Sequence, residues 1–239
     1  MAINVLLALM IIGAFLLALP LHEYAHAQVA TWLGDPTPRG EGRQALGLSS
    51  HLDALGLLLC IILAFFPIAA GPVGLGWGQP VKVDPWKLRG GRNAGPIMVA
   101  VAGLLFSLVV GLLAGVLGNL LFQILPQNPI VERIPQLVLV FATVNIALAF
   151  FNLLPIYPLD GYQIVYMLLP SRQALQFAKS GRFGPIIILV LFFLLPFIAQ
   201  FSGVGGFFLF HIPGLILDGA LALIGLLTRS IDYISLYVL

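Results

Sequence analysis

Long apolar segments alternate with short polar connections along this chain, and the pattern predicts a protein built from membrane-spanning helices. A helix needs about 20 predominantly apolar residues to cross the hydrocarbon core of a bilayer. Six stretches reach or approach that length: 2–33, 53–75, 96–125, 135–154, 184–200 and 204–227. The connections are too short for a soluble domain. We therefore predict one integral-membrane domain over residues 1–239, all-α and polytopic, with about five or six transmembrane helices.

Composition supports the membrane setting and excludes some functions. The chain is 60% hydrophobic and 8% charged, with a mean hydropathy of +1.07, whereas soluble domains carry about 25% charged residues. A net charge of +2 is too small to indicate a nucleic-acid partner. The single cysteine, Cys60, excludes an intramolecular disulfide. The N-terminal segment lacks the basic start of a cleavable signal, so we interpret it as a retained span.

One polar cluster interrupts the first apolar segment: His22-Glu23-Tyr24-Ala25-His26. Histidines four residues apart share one face of a helix, so both imidazoles can bind one zinc ion, and Glu23 beside it is a candidate general base for a water molecule. The alternative is a polar helix–helix contact. Ionisable side chains inside hydrocarbon are costly and usually functional. We predict one Zn²⁺ per chain, at a site that would also accept other divalent ions.

A catalytic zinc takes three protein ligands and keeps one position open, so a third ligand must lie elsewhere. Asp160 stands out because Pro155 and Pro158 break the helix before it and Gly161 permits a tight turn after it. Irregular backbone at membrane depth is tolerated where it lines a watered cavity. On the residues alone, a solvated loop acid is an equal alternative. The other candidates are Asp53, Asp218, His51 and His211.

The pairing of the HExxH cluster with the segment 152–161 resembles the site-2 protease family of intramembrane zinc metalloproteases. That family carries HExxH in one span and NxxPxxxxDG at the end of a later one. Further similarity runs through 34–36, 42–43, 51–53 and 76–81, so that about residues 15–165 are covered. The chain is most similar to the compact prokaryotic subgroup that lacks PDZ and CBS domains.

The resemblance implies a role for each matching residue. His22, His26 and Asp160 would bind zinc, Glu23 would be the base, and Asn152 would hold the substrate or the water. Residues 1–165 would form the metalloprotease core, followed by additional C-terminal transmembrane helices over 166–239. Where the family usually has Ala-Gly-Pro-x-x-Asn, this chain reads Ala102-Gly103-Leu104-Leu105-Phe106-Ser107 and lacks both the proline and the asparagine.

Two further features are candidates for substrate binding. Asn145 lies seven residues before Asn152, two turns away on the same helix face, and is predicted to bind substrate as well; an interhelical hydrogen bond is the alternative. The stretch 74–79 could form an edge strand that pairs with an unwound substrate, or a simple glycine-rich loop. His51 and Asp53 are interpreted as a structural polar contact.

Shared metal binding constrains the topology. If every apolar segment crossed the membrane, His22 and Asp160 would lie at different depths. A re-entrant segment over 53–75 removes this conflict, and with the N-terminus outside it leaves 10 of the 11 basic residues on the cytoplasmic side, Arg133 being the exception. The C-terminus is then cytoplasmic, and the metal lies about 10 Å from the cytoplasmic end of the first span.

We therefore predict an intramembrane zinc metalloprotease of the cell membrane that hydrolyses a peptide bond of a membrane-embedded protein or peptide near the cytoplasmic face, in regulated intramembrane proteolysis. An alternative within enzymes is a protease acting on prenylated C-termini. A second class is a non-catalytic membrane scaffold or a metal transporter that retains a zinc site. An oligomer and a regulatory membrane partner stay open.

Overall fold

The computed structural model of the chain describes residues 4–66, 71–126, 128–202 and 208–238. Within these ranges the secondary structure is helical throughout, apart from one isolated β-bridge. The α-helices are α1 (Val5–Trp32), α2 (Thr37–Gly40), α3 (Leu48–His51), α4 (Ala54–Phe65), α5 (Gly91–Ile124), α6 (Arg133–Asn152), α7 (Asp160–Leu168), α8 (Ser171–Ala178), α9 (Gly184–Leu189), α10 (Leu195–Ser202), α11 (Ile212–Thr228) and α12 (Ile231–Ser235). Short 3₁₀ or π turns join or extend several of them.

In the part of the chain that the structure describes, five helical stretches are long and apolar enough to cross a membrane, which confirms the predicted polytopic all-α class. They are Val5–Trp32, Gly91–Ile124, Arg133–Asn152, Ser171–Gln200 and Phe208–Thr228. The fourth is composite, because a 3₁₀ turn and a π turn separate its three α-helical pieces. It begins thirteen residues earlier than the apolar pattern predicts. The last predicted stretch, 204–227, includes residues 204–207, which lie outside the described ranges.

The described residues of the segment predicted to be re-entrant contain one short helix. The α4 helix has 12 residues and is therefore about 18 Å long, shorter than the roughly 30 Å hydrocarbon core. Before α4, Leu52 forms an antiparallel bridge with Gly78, and Gly56 packs directly against the backbone of Trp77. Both ends of the segment therefore lie side by side, as the re-entrant prediction requires. Residues 67–70, which include Pro67, lie outside the described ranges.

The long α5 helix forms the centre of the bundle because its glycines let other elements approach closely. A Cβ at Gly111 would lie 2.6 Å from the Ile146 side chain of α6, and one at Gly115 would lie 3.1 Å from Ile224 of α11. Small residues at helix contacts are the usual means by which membrane helices approach one another. One more glycine of this helix, Gly103, brings α5 against α1.

The C-terminal segment packs on the same bundle. Gln136 of α6 donates a hydrogen bond from Nε2 to the carbonyl oxygen of Leu236 at 2.8 Å. The hydroxyl of Tyr237 donates to the carbonyl oxygen of Pro72 at 3.0 Å. These contacts join the C-terminal segment to α6 and to the second arm of the segment 53–75.

Candidate active site

The α1 helix carries three polar side chains into the interior of the bundle. His22, Glu23 and His26 are 1%, 6% and 4% exposed, although the helix around them is apolar. Since His26 lies six residues before the helix ends at Trp32, it is about 9 Å below that end. The cluster is therefore buried within the span but close to one of its ends.

Asp160 meets both histidines from the opposite side. Its Oδ2 lies 3.0 Å from Nε2 of His22, and its Oδ1 lies 3.3 Å from Nε2 of His26. The two Nε2 atoms are 3.1 Å apart. One ligand atom from each residue thus lies within 4.8 Å of the other two. The two distant sequence motifs converge at one point.

The backbone after α6 delivers Asp160 to this point. The helix ends at Asn152, and residues 153–159 form successive turns before α7 begins at Asp160 itself. Gly161 is necessary here, because a Cβ at this position would overlap the carbonyl groups of Leu153 and Leu154. The predicted irregular segment with its tight turn is therefore present, and it places the carboxylate over α1.

The donor chemistry and spacing fit a zinc ion. Nδ1 of His26 lies 2.7 Å from the carbonyl oxygen of Val99, which can only accept, so the proton is on Nδ1 and the neutral ring presents its Nε2 lone pair. Ligands about 2.0–2.1 Å from a tetrahedral zinc lie roughly 3.3 Å from one another, close to the 3.0, 3.1 and 3.3 Å separations found. Three protein donors also leave a fourth position open, as a catalytic site requires.

Among the described residues, this is the one group of three or more metal-type side chains close enough to share an ion. The other predicted third ligands, Asp53, Asp218, His51 and His211, do not belong to it. Asp53 instead caps α4, where its Oδ1 accepts hydrogen bonds from two backbone N–H groups at 3.0 Å. His51 is fully buried, with Nε2 2.7 Å from the carbonyl oxygen of Ala45. Both residues therefore have the structural contacts predicted for them.

Glu23 faces a cavity of about 210 Å³ that opens beside the three candidate ligands. Its Oε2 is buried and has no hydrogen-bond partner in the structure. Its Oε1 is approached closely by Gly78, where a Cβ would lie 2.8 Å away. A carboxylate that lines a cavity next to a metal-type cluster and keeps one oxygen unpartnered has the chemistry of a candidate general base.

The two predicted substrate-binding asparagines occupy different environments. Asn152 lines the cavity and donates from Nδ2 to the carbonyl oxygen of Leu148 at 2.9 Å. Asn145 is fully buried within the bundle, donates to the carbonyl oxygen of Phe141 at 2.8 Å, and has an unpartnered Oδ1. It is not among the residues that line the cavity.

An extended segment forms the outer wall of the cavity, and Arg43 holds it in place. Residues of this wall include Trp77, Gly78, Pro80 and Val81. The buried guanidinium of Arg43 donates to the carbonyl oxygens of Gln79 at 2.6 Å and Pro80 at 2.8 Å, and also to that of Ser50. The Arg43 guanidinium thus joins α3 to the wall.

Sequence reasoning missed the groups that surround the histidine rings. On α5, the Val99 carbonyl faces His26, and Ser107 Oγ lies 2.9 Å from Nδ1 of His22. Every residue has a backbone carbonyl, so the residue type at position 99 could not reveal this contact. The available signal for Ser107 was its spacing of four from Gly103, which places both residues on the helix face toward α1.

Comparisons with known proteins identify relatives of similar sequence. The model of "Peptidase family M50" matches residues 121–198, which include Asn152 and Asp160. The Bacillus subtilis protein "Putative zinc metalloprotease YwhC" is 31% identical over 174 residues, covering 72% of this chain and 74% of that protein. The Mycobacterium tuberculosis protein "Putative zinc metalloprotease Rip2" is 29% identical over 205 residues, covering 86% of this chain and 74% of that protein. No solved structure matches the chain.

Proposed function

Because the chain belongs to peptidase family M50 and is an intramembrane zinc metalloprotease, we propose that His22, His26 and Asp160 hold its zinc ion and that Glu23 is the general base. The observation that carries this assignment is the convergence of two Nε2 atoms and one carboxylate, with separations between 3.0 and 3.3 Å. Zinc bound there supplies Lewis-acid chemistry that polarises a carbonyl group and makes water more acidic.

Glu23 moves the proton. Its carboxylate takes a proton from the attacking water and returns it to the nitrogen of the leaving amine, so the same side chain acts first as base and then as acid. Its unpartnered Oε2 supports this role, because a carboxylate already saturated with hydrogen bonds would be a poor acceptor. The small Gly78 beside Oε1 leaves access to the carboxylate.

Asn152 and the wall segment position the substrate. A helical substrate hides its carbonyl groups in internal hydrogen bonds and must be extended locally before it is cut. Asn152 retains an amide oxygen that can accept from such a strand in the cavity. The backbone groups of Gln79 and Pro80 are already bonded to Arg43 and His51, so a substrate strand would pair with this wall from Val81 onward, where Val81 and Val83 line the same cavity. Asn145 does not line the cavity, so in our proposal it contributes through the packing of α6, the helix that carries Asn152.

The substrate is a membrane-embedded protein or peptide, and the cut lies near the cytoplasmic face. This orientation rests on the basic residues, which concentrate in the connections after α1 and α6. The N-terminus is then outside and the C-terminus cytoplasmic. Accessibility labelling of single cysteines introduced within residues 40–50 and 85–92 tests the orientation. Labelling of both regions from the outside would refute the orientation, and labelling from opposite sides would refute the re-entrant path of the segment 53–75.

Elemental analysis of the detergent-purified protein tests the ligand set. We expect about one zinc per chain in the wild type, sharply reduced in Asp160→Ala. Glu23→Gln should retain the zinc while cleavage of a fluorescence-quenched peptide with one transmembrane segment falls by about 100-fold or more. A wild type unable to take up zinc would remove the ligand assignment. Unchanged cleavage by Glu23→Gln would remove the base and favour another role for the site.

A further inference from the structure

The α5 helix contributes a hydroxyl group to the candidate metal centre. Ser107 is fully buried, and its Oγ lies 2.9 Å from Nδ1 of His22. The ring of His22 is itself 1% exposed. Contact between a buried hydroxyl and a buried imidazole, 85 residues apart in the chain, requires that α1 and α5 be held closely together.

The two histidines are held in parallel ways. Nδ1 of His26 donates to the carbonyl oxygen of Val99 at 2.7 Å, and this acceptor belongs to the backbone. Nδ1 of His22 contacts the Ser107 hydroxyl, and the Gly103 carbonyl one turn earlier also acts on this ring. In each ring the Nδ1 contact leaves Nε2 turned toward Asp160. The contact at Ser107 is the one made by a side chain, and it is therefore the one that a substitution can remove.

We propose that Ser107 is a positioning residue of the metal centre: it accepts the Nδ1–H hydrogen bond of His22 and so fixes the tautomer and the orientation of that ring. The proposal rests on the proposed function, in which Nε2 of His22 is a zinc ligand. Partners of the second imidazole nitrogen hold a ligating ring in place, and their loss typically costs 10–100-fold in metal affinity.

The close approach of α5 explains why a short side chain serves here. A Cβ on Gly103 would lie 2.9 Å from Cε1 of His22 and would overlap the ring of His26, so the backbone of α5 runs directly beside the imidazoles. At Ser107 a hydroxyl one bond beyond Cβ already reaches Nδ1. The family's usual asparagine at this position carries its polar atoms one bond further out. Ser107 is thus matched to the spacing between the two helices.

Zinc affinity measured by chelator competition tests the proposal on the detergent-purified full chain. We expect Ser107→Ala to bind zinc about 10-fold more weakly, at the low end of the usual range, because the Gly103 carbonyl remains as a partial acceptor. Ser107→Thr keeps the hydroxyl and should stay within about threefold of the wild type. The visible spectrum of the Co²⁺-loaded protein should change in Ser107→Ala, since it reports the ligand geometry. Thr143→Val is the control, because it removes a buried hydroxyl whose bond is to its own helix, at Leu139.

The possible results distinguish failure of the proposed zinc ligands from failure of the proposed role of Ser107. If the wild type binds no zinc, the proposed function fails first. If the wild type binds zinc and Ser107→Ala matches it within about twofold with the same Co²⁺ spectrum, the positioning role is refuted while the ligand set stands. Equal loss in Ser107→Thr and Ser107→Ala would also refute it. Should Ser107→Ala not fold, Ser107→Cys takes its place. Because a thiol accepts hydrogen bonds only weakly, the zinc affinity of Ser107→Cys should be lower than those of the wild type and Thr143→Val.

Discussion

Replacing Gly103 by alanine should damage the zinc site while leaving the fold intact. The added methyl group would lie 2.9 Å from Cε1 of His22 and still closer to Nε2 of His26, whereas ordinary van der Waals contact begins at 3.4 Å. Relief of this overlap requires the rings or the helix to move by about 1 Å. Both rings are buried and held at Nδ1, so a compensating rotation would cost a buried hydrogen bond.

The size of that movement decides the expected effect. Protein zinc sites keep their ligands within about 0.2 Å of ideal distances, so a displacement of about 1 Å is several times the tolerance. A misplacement of that size at a reacting centre can cost about 100-fold in rate. The intrinsic helix preference acts in the opposite direction, since alanine is favoured over glycine by about 1 kcal/mol in a helix interior. Zinc affinity and activity should therefore fall without a matching loss of stability.

The assay compares zinc content, peptide cleavage and thermal unfolding in detergent for the wild type, Gly103→Ala and Gly13→Ala. Gly13 is a suitable control because it lies inside α1, where a Cβ would have no neighbour within 4 Å. Gly13→Ala should behave as the wild type does. If Gly103→Ala kept the zinc affinity of the wild type within about threefold, our reasoning that α5 confines the two imidazoles would be wrong.

Two further predictions concern the connections that support the site. Arg43→Lys should retain zinc but lower both stability and cleavage, because one ammonium group cannot reach all three carbonyl oxygens. Each lost charge-assisted hydrogen bond costs roughly 1.5–3 kcal/mol. An unchanged thermal unfolding temperature would contradict this prediction. The second prediction concerns His51, whose pKa in the folded protein is lowered from the usual 6.5, mainly by burial and also by the nearby Arg43 charge. The Ala45 carbonyl raises the pKa but does not offset these two effects. The unfolded state then binds the proton more readily, and stability should decline as the pH falls below about 6.5; His51→Asn should flatten the pH dependence of the melting temperature in that window.

Local spacing accounts for the half of the site that could be predicted from residues alone. His22 and His26 face the same way because four residues make about one helical turn, and this relation needs no knowledge of the rest of the fold. Asp160 is 138 residues from His22, and its position depends on how α5 and α6 pack. The residues alone left it undecided; the resemblance to a family supplied the pairing.

The groups on α5 could not be predicted for two different physical reasons. Val99 acts through its backbone carbonyl, which every residue possesses. Ser107 lies in a helix that is apolar on all sides, so no amphipathic pattern marks the face that meets α1. The two asparagines of α6 show a related limit: helical spacing puts them on one face, but the cavity opens only at the last turn, beside Asn152.

Metal chemistry was nevertheless able to predict part of the topology. One zinc ion cannot be bound by residues at different depths, so a shared site for His22 and Asp160 requires an even number of complete crossings between them, here those of α5 and α6. That condition excludes a full crossing by the segment 53–75, whose hydropathy alone would permit one. The bridge between Leu52 and Gly78 agrees with it, because it joins the two arms of that segment at the same end. The coordination requirement and the short length of α4 thus lead independently to the same path for the chain.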